Sequence, residues 1–277
     1  MKLKKFRNKK ILITGASSGI GKAMALLLAQ EDTQLFLTGR DAGKIAQVSQ
    51  ACLTSHQNAR HETDKESRFA LNSFIVDFDD HASIDKFVEA INEKGIVFDY
   101  ILLNAGVSQR SLTLETDFSV DRQIMETNFF GPVYFIKKIA DKLLSSTMTQ
   151  IAITSSISGL FGFPLRSAYC ASKHALFGFF EALELENKNI RVTFLIPGRI
   201  DTPISLNALS KDGSAHAKSD AGQANGMDVN KCARIAVRAI AKGKHRQLIC
   251  EKEWIIVYAK RFIPPLFWLL ARKVSAT

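Results

Sequence analysis

The chain has 277 residues, of which 46% are apolar, so it is long enough for one α/β domain with a sizeable core. Its formal net charge is +10, but it has no run of eighteen apolar residues and no apolar stretch before its first strand. We therefore expect neither a conventional membrane-spanning helix nor a secretory signal. The four cysteines and six histidines are scattered without metal-ligand spacing, so we predict no metal site and reduced thiols in a cytoplasmic protein.

Segments with the patterns of strands and helices alternate along the chain. This order predicts one doubly wound parallel sheet of about seven strands, with helices on both faces. The predicted strands are 10–14, 34–38, 72–77, 100–104, 150–155, 191–196 and 247–249. The predicted helices are 19–31, 42–53, 82–93, 119–145, 167–187 and 229–242.

Two polar segments interrupt this alternation. Residues 54–69 are polar and charged, and we expect a long, mobile surface connection there. Residues 207–227 contain almost no large apolar side chain, so we expect a flexible lid that cannot bury itself well.

A glycine-rich turn follows the first predicted strand. Gly15, Gly19 and Gly21 are spaced Gly-x-x-x-Gly-x-Gly and precede a strong helix former. The missing side chains let the backbone approach a pyrophosphate, and the helix N-terminus adds amide donors and a favourable dipole. An isolated turn of this kind can also be purely structural, so the pattern alone leaves both interpretations open.

Tyr169 and Lys173 are four residues apart on a predicted helix and therefore share one face. A nearby cation favours the phenolate and lowers the pKa of a tyrosine, so we predict that Lys173 makes Tyr169 a proton donor or acceptor near neutral pH. Ser156 lies thirteen residues upstream. When such a pair stands alone, an amphipathic surface pair is its usual explanation.

Taken together, five motifs resemble those of the short-chain dehydrogenase/reductase family in its single-domain form. They follow one another in that family's order and spacing from about residue 9 to residue 249. One departure is Leu103, which stands where many members carry an asparagine. The motifs are Thr14-Gly15-Ala16-Ser17-Ser18-Gly19-Ile20-Gly21, Asn104-Ala105-Gly106, Asn128 in Thr127-Asn128-Phe129-Phe130-Gly131-Pro132, Ser156 with Tyr169 and Lys173, and Pro197-Gly198-Arg199-Ile200-Asp201-Thr202.

The resemblance implies a Rossmann-like fold and a catalytic tetrad of Asn128, Ser156, Tyr169 and Lys173. In that tetrad, Tyr169 exchanges a proton with the reacting oxygen, and Ser156, favoured over its neighbour Ser155, hydrogen-bonds that oxygen. Lys173 also binds the nicotinamide ribose. Asn128 holds a water that links Lys173 to solvent, although a polar residue that kinks a helix is the alternative. The expected cofactor-binding residues are Gly15, Ser17, Ser18, Gly19, Ile20, Gly21, Arg40, Asp77, Phe78, Asn104, Ala105, Gly106, Tyr169, Lys173, Pro197, Gly198, Ile200 and Thr202.

The end of the second predicted strand bears on the choice of cofactor. It has no acid that could bind a free ribose 2′-hydroxyl, and Gly39 stands where family members that prefer NAD carry one. The planar donor fork of Arg40 can instead pair with a 2′-phosphate. We therefore predict NADP(H) rather than NAD(H). The alternative is an exposed Arg40 that pairs with Asp41.

These expectations describe an oxidoreductase that transfers a hydride between NADP(H) and a hydrophobic carbonyl or alcohol compound, within a domain of residues 1–250. Arg166 and Arg199 are the charged residues that could anchor a carboxylate or phosphate. The alternative is a catalytically silent dinucleotide-sensing or membrane-docked binding protein, against which the intact tetrad argues. The expected substrate pocket wall is Val107, Leu160, Phe161, Phe163, Leu165 and Leu206.

Residues 251–277 form an apolar and basic extension. Its apolar run, 262–270, lies between Lys260-Arg261 and Arg272-Lys273, and is too short to span a bilayer. A pocket cap, a subunit contact and peripheral contact with a membrane surface all stay open. We expect a homodimer or homotetramer, because the family's helices after the fourth and fifth strands commonly pair and are apolar on more than one face here. No nucleic-acid fold signature occurs, so we expect no such partner.

Overall fold

The computed structural model describes residues 3–59, 68–218, 220 and 225–271. Its seven strands form one parallel sheet in the order β3-β2-β1-β4-β5-β6-β7. Every strand lies within two residues of its predicted bounds, and the predicted doubly wound fold is confirmed. The strands are β1 Lys10–Ile13, β2 Gln34–Gly39, β3 Ala70–Ile75, β4 Tyr100–Leu103, β5 Thr149–Thr154, β6 Ile190–Pro197 and β7 Arg246–Ile249.

Helices cover both faces of this sheet. Short 3₁₀ turns at Lys4–Phe6 and Ile157–Gly159 and a π-helical turn at Glu126–Phe130 accompany them. The helices are α1 Gly19–Leu28, α2 Ala42–Ala59, α3 His81–Glu93, α4 Phe118–Met125, α5 Gly131–Lys138, α6 Ala140–Ser145, α7 Ser167–Glu186, α8 Val229–Ala241, α9 Trp254–Phe262 and α10 Pro264–Ala271.

The core lies on both sides of the sheet because successive strand residues point to opposite faces. In β1, Leu12 packs with residues of α3, α5 and α7, whereas Ile13 packs with residues of α1, α2 and α8. All four residues of β4 are buried, which is the pattern of a strand covered on both faces. From β1 the sheet is extended in one direction by β2 and β3 and in the other by β4 to β7. The strand order reverses between β1 and β4, and a crevice opens there at the carboxyl ends of the strands.

The predicted single helix over 119–145 is wrong, because the structure divides it into α4, the π-helical turn, α5 and α6. Two close approaches account for the first break. Asn128 turns its amide toward Val107, and a Cβ atom on Gly131 would lie 2.0 Å from the carbonyl oxygen of Phe78. The extra residue of a π-helical turn allows both contacts without ending the helical direction.

The predicted mobile connection over 54–69 is wrong over its first six residues. Helix α2 continues to Ala59, and His56 is buried with its Nδ1 2.9 Å from the carbonyl oxygen of Ala29. The imidazole also stacks on Phe69, with 4.3 Å between ring centroids. Residues 60–67 lie outside the described residues.

The described part of the expected lid is packed onto the domain. Leu209 forms a parallel bridge with Gln109 and an antiparallel bridge with Ala215. The Arg110 amide donates to the Leu209 carbonyl at 2.8 Å, and the Leu209 amide donates to the Ser108 carbonyl at 2.9 Å. Backbone hydrogen bonds therefore hold residues 207–218, although few apolar side chains are present. Residues 219 and 221–224 lie outside the described residues.

Helices α9 and α10 were not predicted. Phe267 of α10 is buried, and its ring centroid lies 5.4 Å from that of Phe161, so this end of the chain packs on the main core. The side chains of Trp254, Phe262 and Trp268 are each at least half exposed. Within the described ranges, no helix has the length and apolar character needed to span a bilayer.

Candidate active site

A cleft of about 580 Å³ opens at the carboxyl ends of the strands. It brings together residues that are far apart in the sequence, from the glycine turn to α7 and the segment after β6. Ser156 and all of the expected cofactor-binding residues except Gly21 line it, whereas Asn128 lies behind its wall. The lining residues predicted from the sequence are Gly15, Ser17, Ser18, Gly19, Ile20, Arg40, Asp77, Phe78, Asn104, Ala105, Gly106, Ser156, Tyr169, Lys173, Pro197, Gly198, Ile200 and Thr202.

The glycine turn is shaped as a cradle. Gly15 and Gly19 have positive φ angles of 61° and 53°, which other residues rarely adopt. A Cβ atom on Gly21 would lie 2.3 Å from the Gly15 carbonyl oxygen, so the turn and the start of α1 approach closely. The N-terminus of α1 faces the cleft through Gly19 and Ile20. These features fit the pyrophosphate of a dinucleotide.

Asn104 fastens this turn to the neighbouring strands. Its Nδ2 donates to the Gly15 carbonyl at 3.2 Å, and its Oδ1 accepts from Thr154 Oγ1 at 3.0 Å. The hydroxyl oxygen of Thr14 accepts from the amides of Asn104 and Ala105 at 2.9 and 3.0 Å. The Asn104 amide group therefore positions the cradle through these contacts.

The end of the cleft at β2 contains cations. Arg40 and Lys44 both line it, and Lys44 Nζ lies 3.7 Å from Asp41 Oδ2. A Cβ atom on Gly39 would lie 2.9 Å from the Ile45 side chain and 3.1 Å from Ser17 Cβ, so an acidic residue would not fit there without a shift. Sequence reasoning missed Lys44, which lies one helical turn beyond Arg40.

Asp77 and Phe78 form the opposite wall at this end. Asp77 Oδ1 accepts from the Asp79 amide at 3.1 Å, which orients the carboxylate. Phe78 is only 3% exposed, and its ring meets that of Phe135 edge-on at 6.1 Å. Phe78 is thus mainly a core residue that contributes an edge to the cleft.

Tyr169 lies at the other end and is 7% exposed. Burial raises the pKa of its phenol, while the charge of Arg166 and a hydrogen bond with Ser156 act in the opposite direction. The prediction that Lys173 lowers the pKa of Tyr169 is therefore wrong: burial raises this pKa, and the cation that most opposes the rise is Arg166. The phenol is protonated at neutral pH.

Lys173 is buried beside Tyr169, with its Nζ 5.8 Å from the centroid of the phenol ring. The ammonium donates to the carbonyl oxygen of Thr154 at 2.9 Å. Burial lowers the pKa of Lys173 to about 8. Lys173 thus lies close to the phenol and has a pKa not far above neutral pH.

Ser156 and Ser155 have different partners. The Ser156 hydroxyl oxygen accepts from the Ser158 amide at 3.1 Å, and the hydroxyl also contacts the Tyr169 phenol. The Ser155 hydroxyl instead donates to the Lys173 carbonyl at 3.2 Å. Of the two serines, Ser156 is therefore the one in contact with the phenol.

Asn128 lies in the π-helical turn with its amide bound to protein groups. Its Oδ1 accepts from the Val107 amide at 2.8 Å, and its Nδ2 donates to the Val107 carbonyl and to Ser172 Oγ, each at 3.0 Å. These contacts are those of a helix-kinking residue. A Cβ atom on Gly106 would lie 2.9 Å from Asn128 Oδ1 and 3.4 Å from Lys173 Nζ, so the backbone passes closely between them.

The substrate wall differs from the expected one. Val107 and Leu206 line the cleft, but Phe161 is 1% exposed in the core and Phe163 lies against the guanidinium of Arg166. Leu160 and Leu165 are not among the described residues that line it. The cleft has further lining residues beyond those expected. Thr127 belongs to the Asn128 motif and Arg166 was expected as a possible anion anchor, whereas no motif marks the others, which are Ser108, Arg110, Pro203, Ile204 and Asn207.

The cysteines take no part in this cleft. Burial raises the pKa of Cys52 and Cys232 to about 12, so both thiols are protonated at neutral pH. In the part of the chain that the structure describes, no group of three or more His, Cys, Asp or Glu side chains is placed to hold a metal ion.

Comparisons with known proteins agree with the fold. The sequence model of the family described as short chain dehydrogenase matches residues 9–213. The chain is 33% identical over 267 residues to Dehydrogenase/reductase SDR family member 7B of Mus musculus, covering 95% of this chain and 80% of that protein. The chain belongs to the short-chain dehydrogenase family. A Drosophila melanogaster protein named Dehydrogenase/reductase SDR family protein 7-like is 31% identical over 277 residues.

Solved structures share the fold of this family member at low sequence identity. A short-chain dehydrogenase/reductase from Burkholderia phymatum in complex with NAD superposes with a TM-score of 0.77 at 20% identity, covering 95% of this chain and 96% of that one. An alcohol dehydrogenase from Thermococcus sibiricus complexed with 5-hydroxy-NADP gives 0.72 at 21% identity, covering 89% and 97%. The chain thus has the fold of these short-chain dehydrogenase structures.

Proposed function

We propose that this protein is an NADP(H)-dependent reductase of carbonyl groups, with Tyr169 as the proton donor. One observation carries the proposal: a single continuous cleft joins the glycine turn to Ser156, Tyr169 and Lys173. Such a cleft can hold a dinucleotide and a carbonyl compound against one buried phenol. The bound cofactor supplies the hydride, and the protein supplies position and the proton.

Tyr169 gives its proton to the carbonyl oxygen of the substrate. Its raised pKa supports the direction of reduction, since a phenol that is protonated at neutral pH is ready to donate. The Ser156 hydroxyl contacts the same phenol and can donate to the same carbonyl oxygen, which stabilises the negative charge that develops there. Burial of both groups keeps water from competing for these hydrogen bonds.

Lys173 holds the proton that restores Tyr169 after each turnover and binds the nicotinamide ribose. Its pKa of about 8 suits a group that gains and loses a proton near neutral pH. Asn128 is assigned a positioning role, because its side chain anchors Val107 and its backbone shapes the π-helical turn beside Lys173. The water that the family resemblance places on Asn128 stays part of this proposal.

The preference for NADP(H) rests on the end of the cleft at β2. Arg40 and Lys44 provide two cations there, in a lining that also contains the carboxylates of Asp41 and Asp77. The planar donor fork of Arg40 matches a 2′-phosphate, and Gly39 stands where an acid would bind a 2′-hydroxyl; a side chain at that position would require Ile45 or Ser17 to shift. Val107, Ile204 and Leu206 are apolar lining residues, so the part of the substrate that contacts them is apolar.

The function is tested with a panel of ketones and alcohols assayed by NADPH absorbance, with Tyr169→Phe beside the wild type. We expect reduction of at least one ketone class, and a loss of about 10³-fold in kcat for Tyr169→Phe because the proton donor is gone. The dissociation constant for NADPH, measured by its fluorescence, should change less than about threefold. Binding of NADPH without turnover of any ketone would instead favour the catalytically silent binding protein.

We also propose that the chain forms a homodimer or homotetramer through the helices after β4 and β5. Phe118 and Phe130 beside α4 and α5 are 73% and 48% exposed, and Leu185 of α7 is 87% exposed. A second copy would cover this apolar surface. Light scattering that gives a monomer at micromolar concentration contradicts the proposal.

For the end of the chain we propose contact with an anionic membrane surface, in a protein otherwise located in the cytoplasm. Phe262 and Trp268 are 66% and 58% exposed, next to the cations Lys260 and Arg261. Aromatic side chains at headgroup depth with flanking cations fit such a surface. The full chain should co-sediment with vesicles that contain phosphatidylglycerol, and Phe262→Ser with Trp268→Ser should remove this binding. A pocket cap is not supported, since none of the described residues 251–271 lines the cleft.

A further inference from the structure

Two arginine side chains in the cleft wall near Tyr169 are not used by the proposed reaction. Arg110 and Arg166 both approach Oδ2 of Asp220. Arg110 Nε donates to this oxygen at 2.9 Å, its Nη2 donates as well, and Arg166 Nη2 lies 3.5 Å from it. The three residues, here called the arginine cluster, come from three separate stretches of the chain and belong to no motif of the sequence.

The arginine cluster has an excess of positive charge. Guanidinium groups stay protonated at neutral pH, and among the described residues Arg110 and Arg166 share the carboxylate of Asp220. The nearby His216 has its Nε2 3.9 Å from the other oxygen of Asp220 and adds positive charge when protonated. Burial, and next the charge of Arg110, lowers the pKa of Arg166 to about 10. An anion at this place would relieve the repulsion and restore the lost solvation.

The two arginines differ in how far a ligand can reach them. The side chain of Arg110 is 2% exposed, and its Nη1 donates to Ser108 Oγ at 2.8 Å and to the Gln109 carbonyl at 2.6 Å. The side chain of Arg166 is 16% exposed, with its guanidinium carbon 5.1 Å from the centroid of the Phe163 ring. Arg110 therefore fixes Asp220 in place, and Arg166 presents its guanidinium to the cleft.

We propose that the substrate carries a carboxylate or phosphate group and that Arg166 binds this group beside the carbonyl that Tyr169 protonates. The inference rests on the proposed reductase function and names its substrate class: a ketone with an anionic group and an apolar portion. Arg166 is the N-cap residue of α7, three residues before Tyr169, and its charge acts on the Tyr169 phenol, so an anion bound to it would lie close to the reacting carbonyl. The planar fork of a guanidinium matches either anion with two hydrogen bonds.

This site is separate from the one proposed for the cofactor phosphates. The pyrophosphate is assigned to the glycine turn, and a 2′-phosphate to Arg40 and Lys44, all at the β1 and β2 side of the cleft. Arg110 instead follows β4, and Arg166 follows β5, which also precedes Tyr169, so both arginines lie on the side of β1 away from β2 in the strand order. A dinucleotide therefore leaves the arginine cluster to a second molecule.

Two matched pairs of ketones test the proposal. Benzoylformate is compared with its methyl ester, and phenacyl phosphate with 2-hydroxyacetophenone, each by kcat/KM with NADPH. We expect the wild type to prefer at least one anionic member over its neutral partner by about 10-fold or more. Arg166→Gln should lower that preference by about 10- to 100-fold, because a charge-assisted pair of hydrogen bonds is lost. The pair with the larger preference distinguishes a carboxylate from a phosphate.

The ratio within a pair is the readout because Arg166 also acts on the pKa of Tyr169. Both members of a pair use the same phenol, so this effect cancels. Arg199→Gln is the matched control: it removes the other arginine that the sequence offered as an anion anchor, which is not among the described residues that line the cleft, and should keep the ratio. Arg166→Lys keeps the charge but not the fork, and should give a smaller loss of about 3- to 10-fold. If Arg166→Gln does not fold, Arg166→Lys is the variant that tests the proposal.

The outcomes separate the two proposals. A ratio near one in the wild type, or an equal ratio in Arg166→Gln, overturns the anion site and leaves the cluster a structural role. If no ketone of either pair is reduced, the proposed function fails, and the site is judged by calorimetric titration with phenacyl phosphate and benzoylformate. Binding that weakens about 10-fold or more in Arg166→Gln, but not in Arg199→Gln, then supports the anion site; its absence overturns that as well.

Discussion

The two ends of the cleft differ in which atoms form them: mainly backbone at one end and side chains at the other. At the phosphate end, which comprises the turn 15–21 and Arg40, the backbone of one short segment forms the surface that a ligand meets. At the substrate end, which comprises Tyr169 and the arginine cluster, side chains from three distant stretches meet only after folding. Consecutive residues determine a backbone cradle, whereas a side-chain cluster forms only when the topology of the fold brings distant residues together.

This difference explains why each end carries its own kind of specificity. A turn that needs missing side chains tolerates few replacements and recognises a feature common to all dinucleotides. The substrate end uses packed and charged side chains, which can be exchanged singly without disturbing the sheet. Changes at the phosphate end should therefore affect every cofactor and substrate, and changes at the substrate end should discriminate between ligands.

Gly21→Ala is the strongest test of the backbone cradle. Its new Cβ atom would lie 2.3 Å from the Gly15 carbonyl oxygen, so the turn must move. We expect a cost of about 1–3 kcal/mol and NADPH binding weakened up to about 100-fold, measured by NADPH fluorescence. The loss should be the same for NADPH and NADH, because the pyrophosphate is common to both.

Gly178→Ala is the matched control within α7. A Cβ atom there would meet no heavy atom within 4 Å, so alanine should stabilise the helix by about 0.5–1 kcal/mol in thermal unfolding. Unchanged NADPH affinity in a Gly21→Ala variant that is folded at the assay temperature would contradict the cradle.

Arg40→Ala tests the one specific side chain of the phosphate end, with a smaller expected effect. Removing a guanidinium from a 2′-phosphate should raise KM for NADPH by about 10- to 30-fold and leave KM for NADH within about twofold. The control is Lys44→Ala, which should give the same direction with a smaller change because Lys44 is already near Asp41. An equal change for both cofactors in Arg40→Ala removes the predicted preference for NADP(H).

Sequence reasoning succeeded where short segments determine the structure. The strands were predicted to within two residues because buried parallel strands are short apolar runs bounded by polar turns. The residues of the glycine turn, Ser156, Tyr169 and Lys173 were located by their spacing, and the fold brings them to one cleft.

It failed where distant groups meet. The break at Glu126–Phe130 depends on contacts of Asn128 with Val107 and of Gly131 with Phe78, which no local pattern reveals. The direction of the shift in the pKa of Tyr169 depends on its burial, which outweighs the effect of a cation one turn away. Arg110 and Asp220 are 110 residues apart, so their pairing could not be foreseen.

The substrate end also carries a cost in stability that the phosphate end does not share, because Lys173 is buried with its pKa lowered to about 8. The sign follows from proton binding. Below pH 8 both the folded and the unfolded chain hold the proton, so the folded state bears the full cost of the buried charge. Between about pH 8 and the higher pKa of an unfolded lysine, only the unfolded chain keeps the proton, so stability from this group rises with pH.

Lys173→Met removes this dependence. We expect the variant to be more stable than the wild type at pH 7, and its advantage to shrink by about 1–2 kcal/mol between pH 7 and pH 9.5, measured by urea unfolding. Lys137→Met, at an exposed position of α5, is the control whose difference from the wild type should not vary with pH. If the stability advantage of Lys173→Met were constant over this pH range, burial would not lower the pKa of Lys173. The substrate end would then resemble the phosphate end, with function built at no expense to the fold.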